Sequence, residues 1–104
     1  MMPITEIRLF PDWGHRWSLW RVGSVEPGAL GLSETLAADL AEWTRIWQEE
    51  LDPVFEVKWE TEEAGWRWIQ RGHELATRLQ VELGEGFIVR SRFDQYAPPG
   101  SVSP

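Results

Sequence analysis

The sequence predicts an α+β domain in which two antiparallel helices pack on one face of a small antiparallel sheet, in the order ββαα(β)β. Three observations carry this reading. Two long segments repeat apolar residues at helical spacing between clear start and stop signals; short runs near both ends alternate apolar with polar residues; and those runs supply the apolar surface that both helical stripes require. An all-helical hairpin with extended ends would leave Ile7, Leu9, Phe87 and Val89 without partners.

Glu6 to Phe10 reads as the first strand, with Ile7 and Leu9 on one face. "PDWG" then supplies turn chemistry, because proline presets φ and glycine tolerates the left-handed region. The second arm of the hairpin is expected over Arg16 to Val22, where Trp17 and Leu19 share one face and Trp20 and Val22 the other. Gly23 to Gly31 is an irregular connection.

The first helix opens with Ser33 as N-cap and ends near Asp52, since Pro53 blocks continuation. Its stripe is Leu32, Leu36, Leu40, Trp43, Ile46, Trp47 and Leu51. The second runs from Thr61 as N-cap to Leu83, with Gly84 as the stop. Its stripe includes Trp68, Leu75 and Leu79, but also Gly65 and Gly72, where bulky residues are expected. Glycine inside a helix costs about 1 kcal/mol against alanine, so Gly72 predicts a close crossing that makes room for Trp43 or Trp47. Between the helices, "VFEVKWE" alternates like a short strand. "GFIVRSRF" is the last strand, with Phe87, Val89 and Phe93 on one side. Residues 1–96 form a single domain and 97–104 a disordered tail.

Ten basic against seventeen acidic residues give a net charge of −7 over 104 residues. Such a charge repels phosphate backbones and disfavours nucleic acid as a partner, and it suits a protein with a basic surface. The start lacks a cationic leader and no window approaches a membrane span, so the chain is expected to be cytoplasmic without membrane contact. No cysteine is present, which removes disulfides, thiolate catalysis and cysteine-ligated zinc.

Asp12, His15 and His73 are the one set suggesting a metal, but no HExxH or i,i+4 histidine pair accompanies them. With no GxSxG elbow, P-loop or GxGxxG either, the chain is not expected to be an enzyme or to carry a cofactor. Arg67, Arg71 and Arg78 line one flank of the second helix, where Glu63–Arg67 and Glu74–Arg78 form i,i+4 pairs and Arg78 also reaches Glu82. Glu49, Glu50, Asp52, Glu56, Glu60, Glu62 and Glu63 surround the interhelical connection, offset only by Lys58. They are either a solvated helix start or a docking face for a basic surface.

Eight tryptophans are more indole than one small core readily holds. Trp66 lies about 160° from Trp68 on the helical wheel, near His73. Either the Phe55 to Trp59 segment covers it, or it is an exposed aromatic of the kind enriched at binding hot spots. In "PDWGHRWSLWR", alternation forbids Trp17 and Trp20 from entering the same core and Trp13 rides the turn. Trp13, His15 and Arg16 are therefore an aromatic and polar cluster at one end of the sheet.

"LFPDWGHRWSLW", "LGLSETLAADLAEW" and "GHELATRLQVELGEGFIV" together resemble a group of small acidic proteins of actinomycete-type bacteria. The match rests on Asp12, Trp13, Gly14, Leu19, Trp20, Leu32, Ser33, Trp43, Gly72, Leu75, Ala76, Leu79, Glu82, Leu83 and Gly84. That resemblance implies a compact bacterial domain and transfers no catalytic residue. The residues themselves favour a non-enzymatic binding protein, such as the immunity or inhibitor partner of a bacterial toxin. Its expected contacts are Trp13, His15, Arg16, Trp66, His73, Glu56 and Glu60. The alternative is a small-ligand pocket framed by Trp13, His15, Arg16 and Trp20. A homodimer through exposed aromatics is a third arrangement.

Overall fold

A computed structural model describes residues 3–50 and 59–98. Strands β1 (Thr5–Leu9) and β2 (Leu19–Trp20) are followed by helices α1 (Glu34–Glu50) and α2 (Glu62–Leu83), and strand β3 (Phe87–Ser91) completes the sheet. Short 3₁₀ turns at Pro27–Leu30 and Asp94–Tyr96 shape the connections. The α+β class and the two helices packed against the sheet are as expected.

The helices are bounded by the residues that the sequence singles out. Thr61 is extended and its side chain accepts a hydrogen bond from the Ala64 N–H, while Gly84, at φ 83, closes α2 by donating its N–H to the Gln80 carbonyl. Ser33 Oγ accepts from the Leu36 N–H at 3.2 Å. The cap is completed from the other helix: the Glu82 carboxylate accepts from both the Ser33 N–H and the Ser33 hydroxyl, each at 2.7 Å. One end of α2 thus sits on the start of α1, and the helices run antiparallel.

Further along, Asp39 Oδ2 accepts from Arg78 at 2.6 Å and lies 3.3 Å from Arg71. The expected pairing of Arg78 with Glu74 gives way to this bond between helices, and Glu74 pairs with Arg71 instead. At the crossing, the Trp43 and Trp68 rings stack 4.3 Å apart and nearly parallel. Each indole N–H donates to the other residue's backbone carbonyl at 2.9 Å. Gly72 makes this possible, because a Cβ there would come within 2.6 Å of Phe93 Cζ and 2.8 Å of Trp43 Cζ2.

The sheet departs from expectation in two ways. Its order is β2-β1-β3, and β3 lies parallel to β1, so it is mixed rather than antiparallel throughout. The cause is the returning helix pair. It delivers Gly86 beside Thr5, whose N–H donates to the Gly86 carbonyl at 2.9 Å, and both strands then leave in the same direction. Second, β2 is two residues long rather than the full arm from Arg16 to Val22, because Ser18 adopts φ 62 and breaks the alternation just before it. Ser18 is buried, and its hydroxyl lies 2.5 Å from that of Thr44. Since the Thr44 hydrogen is given to the Leu40 carbonyl, Ser18 is the donor.

Ile7, Leu9, Leu19 and Phe93 face the helices and are fully buried with Leu36, Leu40, Leu75 and Leu79. Trp59 is also buried, its indole donating to the Tyr96 carbonyl at 2.6 Å. The described residues continue past Tyr96 to Pro98, which is buried; a Cβ on Gly65 would lie 2.5 Å from it. The rest of the expected tail, and most of the "VFEVKWE" segment including Glu56, lie outside the described residues.

Candidate partner-binding site

The connection from β1 to β2 forms a corner fixed from both sides. Asp12 Oδ1 accepts from the Trp13 N–H at 2.8 Å, and Gly14 takes the left-handed conformation at φ 78 that a turn here requires. From α1, the Gln48 amide donates to the carbonyls of Asp12 (3.2 Å) and His15 (3.3 Å), tying both ends of the turn to the helix. These bonds hold Trp13, His15 and Arg16 on a rigid base.

The three tryptophans of the corner have different fates. Trp20 stacks on Phe10 at 4.6 Å, meets the His15 ring edge-on at 4.5 Å, and gives its N–H to the Phe10 carbonyl at 2.8 Å. It shares its sheet row with Arg8 and so faces away from the helices. Trp17 is half-buried on the core side, under the Arg16 guanidinium at 5.1 Å. Trp13 leans on Trp47 at 5.2 Å yet remains 46% exposed. Trp43, Trp47, Trp59 and Trp68 are buried and Trp66 is half-buried against the core, which leaves Trp13 as the exposed indole of the eight.

The other expected contacts lie apart from this corner. His73, exposed on α2, has its Nε2 3.1 Å from Asp94 Oδ1 and its ring 4.9 Å from Phe93. Glu60 is exposed just before the Thr61 cap. The histidines and Asp12 are therefore engaged separately, and among the described residues no group of three or more His, Asp or Glu side chains is gathered as a metal site requires. The proposed ligand pocket is also rearranged. A cleft of about 230 Å³ is present, lined by His15, Arg16 and Trp17 with Ser24 and Glu26, but Trp13 and Trp20 are not part of its lining.

Charge beside the corner is partly compensated. Arg45 on α1 bonds Glu42, at 2.5 and 2.9 Å, and also Glu49. Its hydrogen bonds hold the Glu42 carboxyl below its ordinary range and raise the guanidinium further. Glu50, Glu60, Glu62 and Glu63 are exposed.

Two features escaped the sequence reading. An apolar groove of about 280 Å³ runs between the helices over Trp43, Ile46, Ala64 and Trp68, rimmed by Glu50, Arg67 and Arg71. The indole N–H of Trp47, beneath Trp13, is buried with no hydrogen-bond partner among the described residues. Small Ala64 opposite Ile46 is the sequence signal for the first; the second has none, because it depends on how three aromatic rings meet.

Residues 5–92 match the model of a family described as Serratia CdiI immunity protein-like. The chain belongs to that family. The matched span runs from the first residue of β1 to just past β3, so it covers the whole described sheet and both helices. Among curated proteins, none matches the sequence. The family is one of immunity proteins of contact-dependent inhibition, which bind a partner toxin protein. Membership is consistent with an immunity or inhibitor role against a bacterial toxin, the role the residues suggested. No helix among the described residues is long and apolar enough to cross a membrane.

Proposed function

We propose that the chain neutralises its toxin by binding alone, without chemistry of its own, and that the corner carrying Trp13, His15 and Arg16 is the centre of the contact. One observation carries this: Trp13 is 46% exposed in a chain that buries or half-buries its seven other tryptophans. An indole held on a fixed turn, with a histidine and an arginine beside it, has the make-up of an interface hot spot. It costs little ordering on binding, because the Gln48 and Asp12 bonds have already set its backbone.

The net charge of −7, with Glu60, Glu62 and Glu63 exposed at the start of α2, suits a toxin with a basic surface. Trp66, His73, Glu56 and Glu60 are further partner contacts in this reading, separate from the corner, and the chain acts in the cytoplasm. Co-purification with the toxin domain tests the reading. Trp13→Ala is expected to weaken the complex by about 30-fold or more, in line with the roughly 2 kcal/mol threshold of a hot spot. Reversal of Glu56 and Glu60 together is expected to slow association more than it speeds dissociation. Unchanged affinity in both variants, with the fold intact, would remove this site assignment while leaving family membership untouched.

A further inference from the structure

Strand β3 is the edge of the sheet, and its main chain faces two ways. Gly86 accepts from Thr5 and Arg92 donates to Leu9, so the even-numbered residues bond to β1. The N–H and C=O groups of Phe87, Val89 and Ser91 consequently point away from the sheet. At its ends the Phe87 N–H donates to the Gly84 carbonyl at 3.3 Å and the Arg92 guanidinium donates to the Ser91 carbonyl at 3.0 Å; the outward groups that remain are a template for pairing with another chain.

One side chain occupies the middle of that row. Gln80, from the last turns of α2, accepts from the Val89 N–H at 3.0 Å and donates to the Phe87 carbonyl at 2.8 Å, with a further bond to the Gly84 carbonyl at 3.2 Å. A carboxamide offers a donor and an acceptor side by side, as a strand does, so Gln80 stands in for a short piece of neighbouring ladder. We propose that Gln80 closes the β3 edge against a second copy of this chain, an edge that otherwise pairs antiparallel and two-fold about Val89.

A second copy can pair along this edge in a favourable register. Val89 is the midpoint of Phe87–Ser91, so pairing about it overlaps the whole strand, with Ser91 donating to the partner's Phe87 carbonyl. It sets Arg90 opposite Ile88. Pairing about Ser91 would instead oppose Arg90 to Arg92, two like charges directly across a ladder. The favourable register thus requires the Val89 N–H and the Phe87 carbonyl, and these are the groups that Gln80 holds. Next to them Val81 is 77% exposed, beside a shallow groove over Ala76, Gln80 and Val89, and supplies apolar area for such a pair to cover.

The test is sedimentation velocity of the purified chain across a concentration series. Gln80→Met keeps the length and helix preference of the side chain but cannot bridge the edge; Gln80→Asn keeps the amide but is one methylene too short. Both variants are expected to self-associate at least about tenfold more tightly than the parent chain. Adding Ser91→Pro to Gln80→Met, which removes an outward donor that β1 does not use, is expected to restore the parent behaviour. Folded variants that sediment like the parent would overturn the proposal. So would association that Ser91→Pro leaves intact, which would place the contact on another surface. Failure of both variants to fold would also overturn it, since Gln80 would then serve to hold β3 down rather than to keep a second copy off. None of these outcomes depends on toxin binding.

Discussion

Three buried indoles show how unequal chemically identical residues become. Trp43 and Trp68 lock the helices by exchanging indole N–H to carbonyl bonds, whereas the Trp47 N–H is buried with no partner among the described residues. Each accepting carbonyl lies inside a helix and keeps its helical partner, so losing one of these indole bonds costs about 0.5–1.5 kcal/mol, while removing a donor that has no partner costs nothing on that account. Trp43→Phe and Trp68→Phe are therefore expected to lower unfolding stability by about that amount or more, and Trp47→Phe by distinctly less, as read from denaturant titrations. Gly72→Ala gives a second contrast. On helix preference alone it would gain about 1 kcal/mol, but the new Cβ meets Phe93 and Trp43 at 2.6 to 2.8 Å, and the net effect expected in the same titrations is a loss of about 1–3 kcal/mol. At this scale the sequence was partly legible: a glycine on an apolar stripe announces a close neighbour, and one of the two tryptophans it was read as accommodating is indeed there. The left-handed Ser18 was not legible, because its cause is Thr44, twenty-six positions along the chain.

Helix boundaries were the most readable elements, since Ser33, Thr61 and Gly84 act through bonds that span only three or four residues. What joins the elements to each other is written in no local pattern. The Glu82 carboxylate that caps α1 from α2 is held below its ordinary range chiefly by hydrogen bonds from Ser33, first the backbone N–H and then the hydroxyl. Asp39 is lowered likewise, first by its hydrogen bond from Arg78. Both carboxylates have folded-state values below their unfolded ones, so each contributes stability that is fully present above the unfolded value and lost as pH falls through the folded one. The melting temperature is expected to drop as pH is lowered below about 4, and Glu82→Gln, which keeps an acceptor but cannot ionise, is expected to flatten that drop. An unchanged slope in Glu82→Gln would show that the cap contributes little. Strand direction was illegible for a related reason. Alternation in "GFIVRSRF" fixes which face is buried, but only the end point of the returning helix pair decides that β3 runs alongside β1 rather than against it.

At the scale of the whole molecule, Trp43, Trp47, Trp59, Trp68 and Phe93 are buried where the helices meet the sheet, Trp20 and Phe10 stack on the sheet's outer face, and one indole is left exposed at the corner where β1 turns into β2. The motifs "LW", "LS" and the glycine-bearing end of α2 prove to be packing and capping residues, which is why they described a fold and no chemistry. Trp66 illustrates the remaining ambiguity of a wheel: it sits off the main stripe, as the spacing indicated, yet it packs half-buried against the core. The net charge of −7 acts at the longest range, so if the toxin presents the basic surface proposed above, association is expected to slow steeply as salt is raised, with a much smaller change in dissociation. The most direct measurement is the affinity of the toxin domain for the parent chain and for Trp13→Ala, taken where circular dichroism shows both fully folded. A loss of about 30-fold or more in the variant is the predicted result; equal affinity would contradict the claim that the exposed indole at this corner is what the toxin grips.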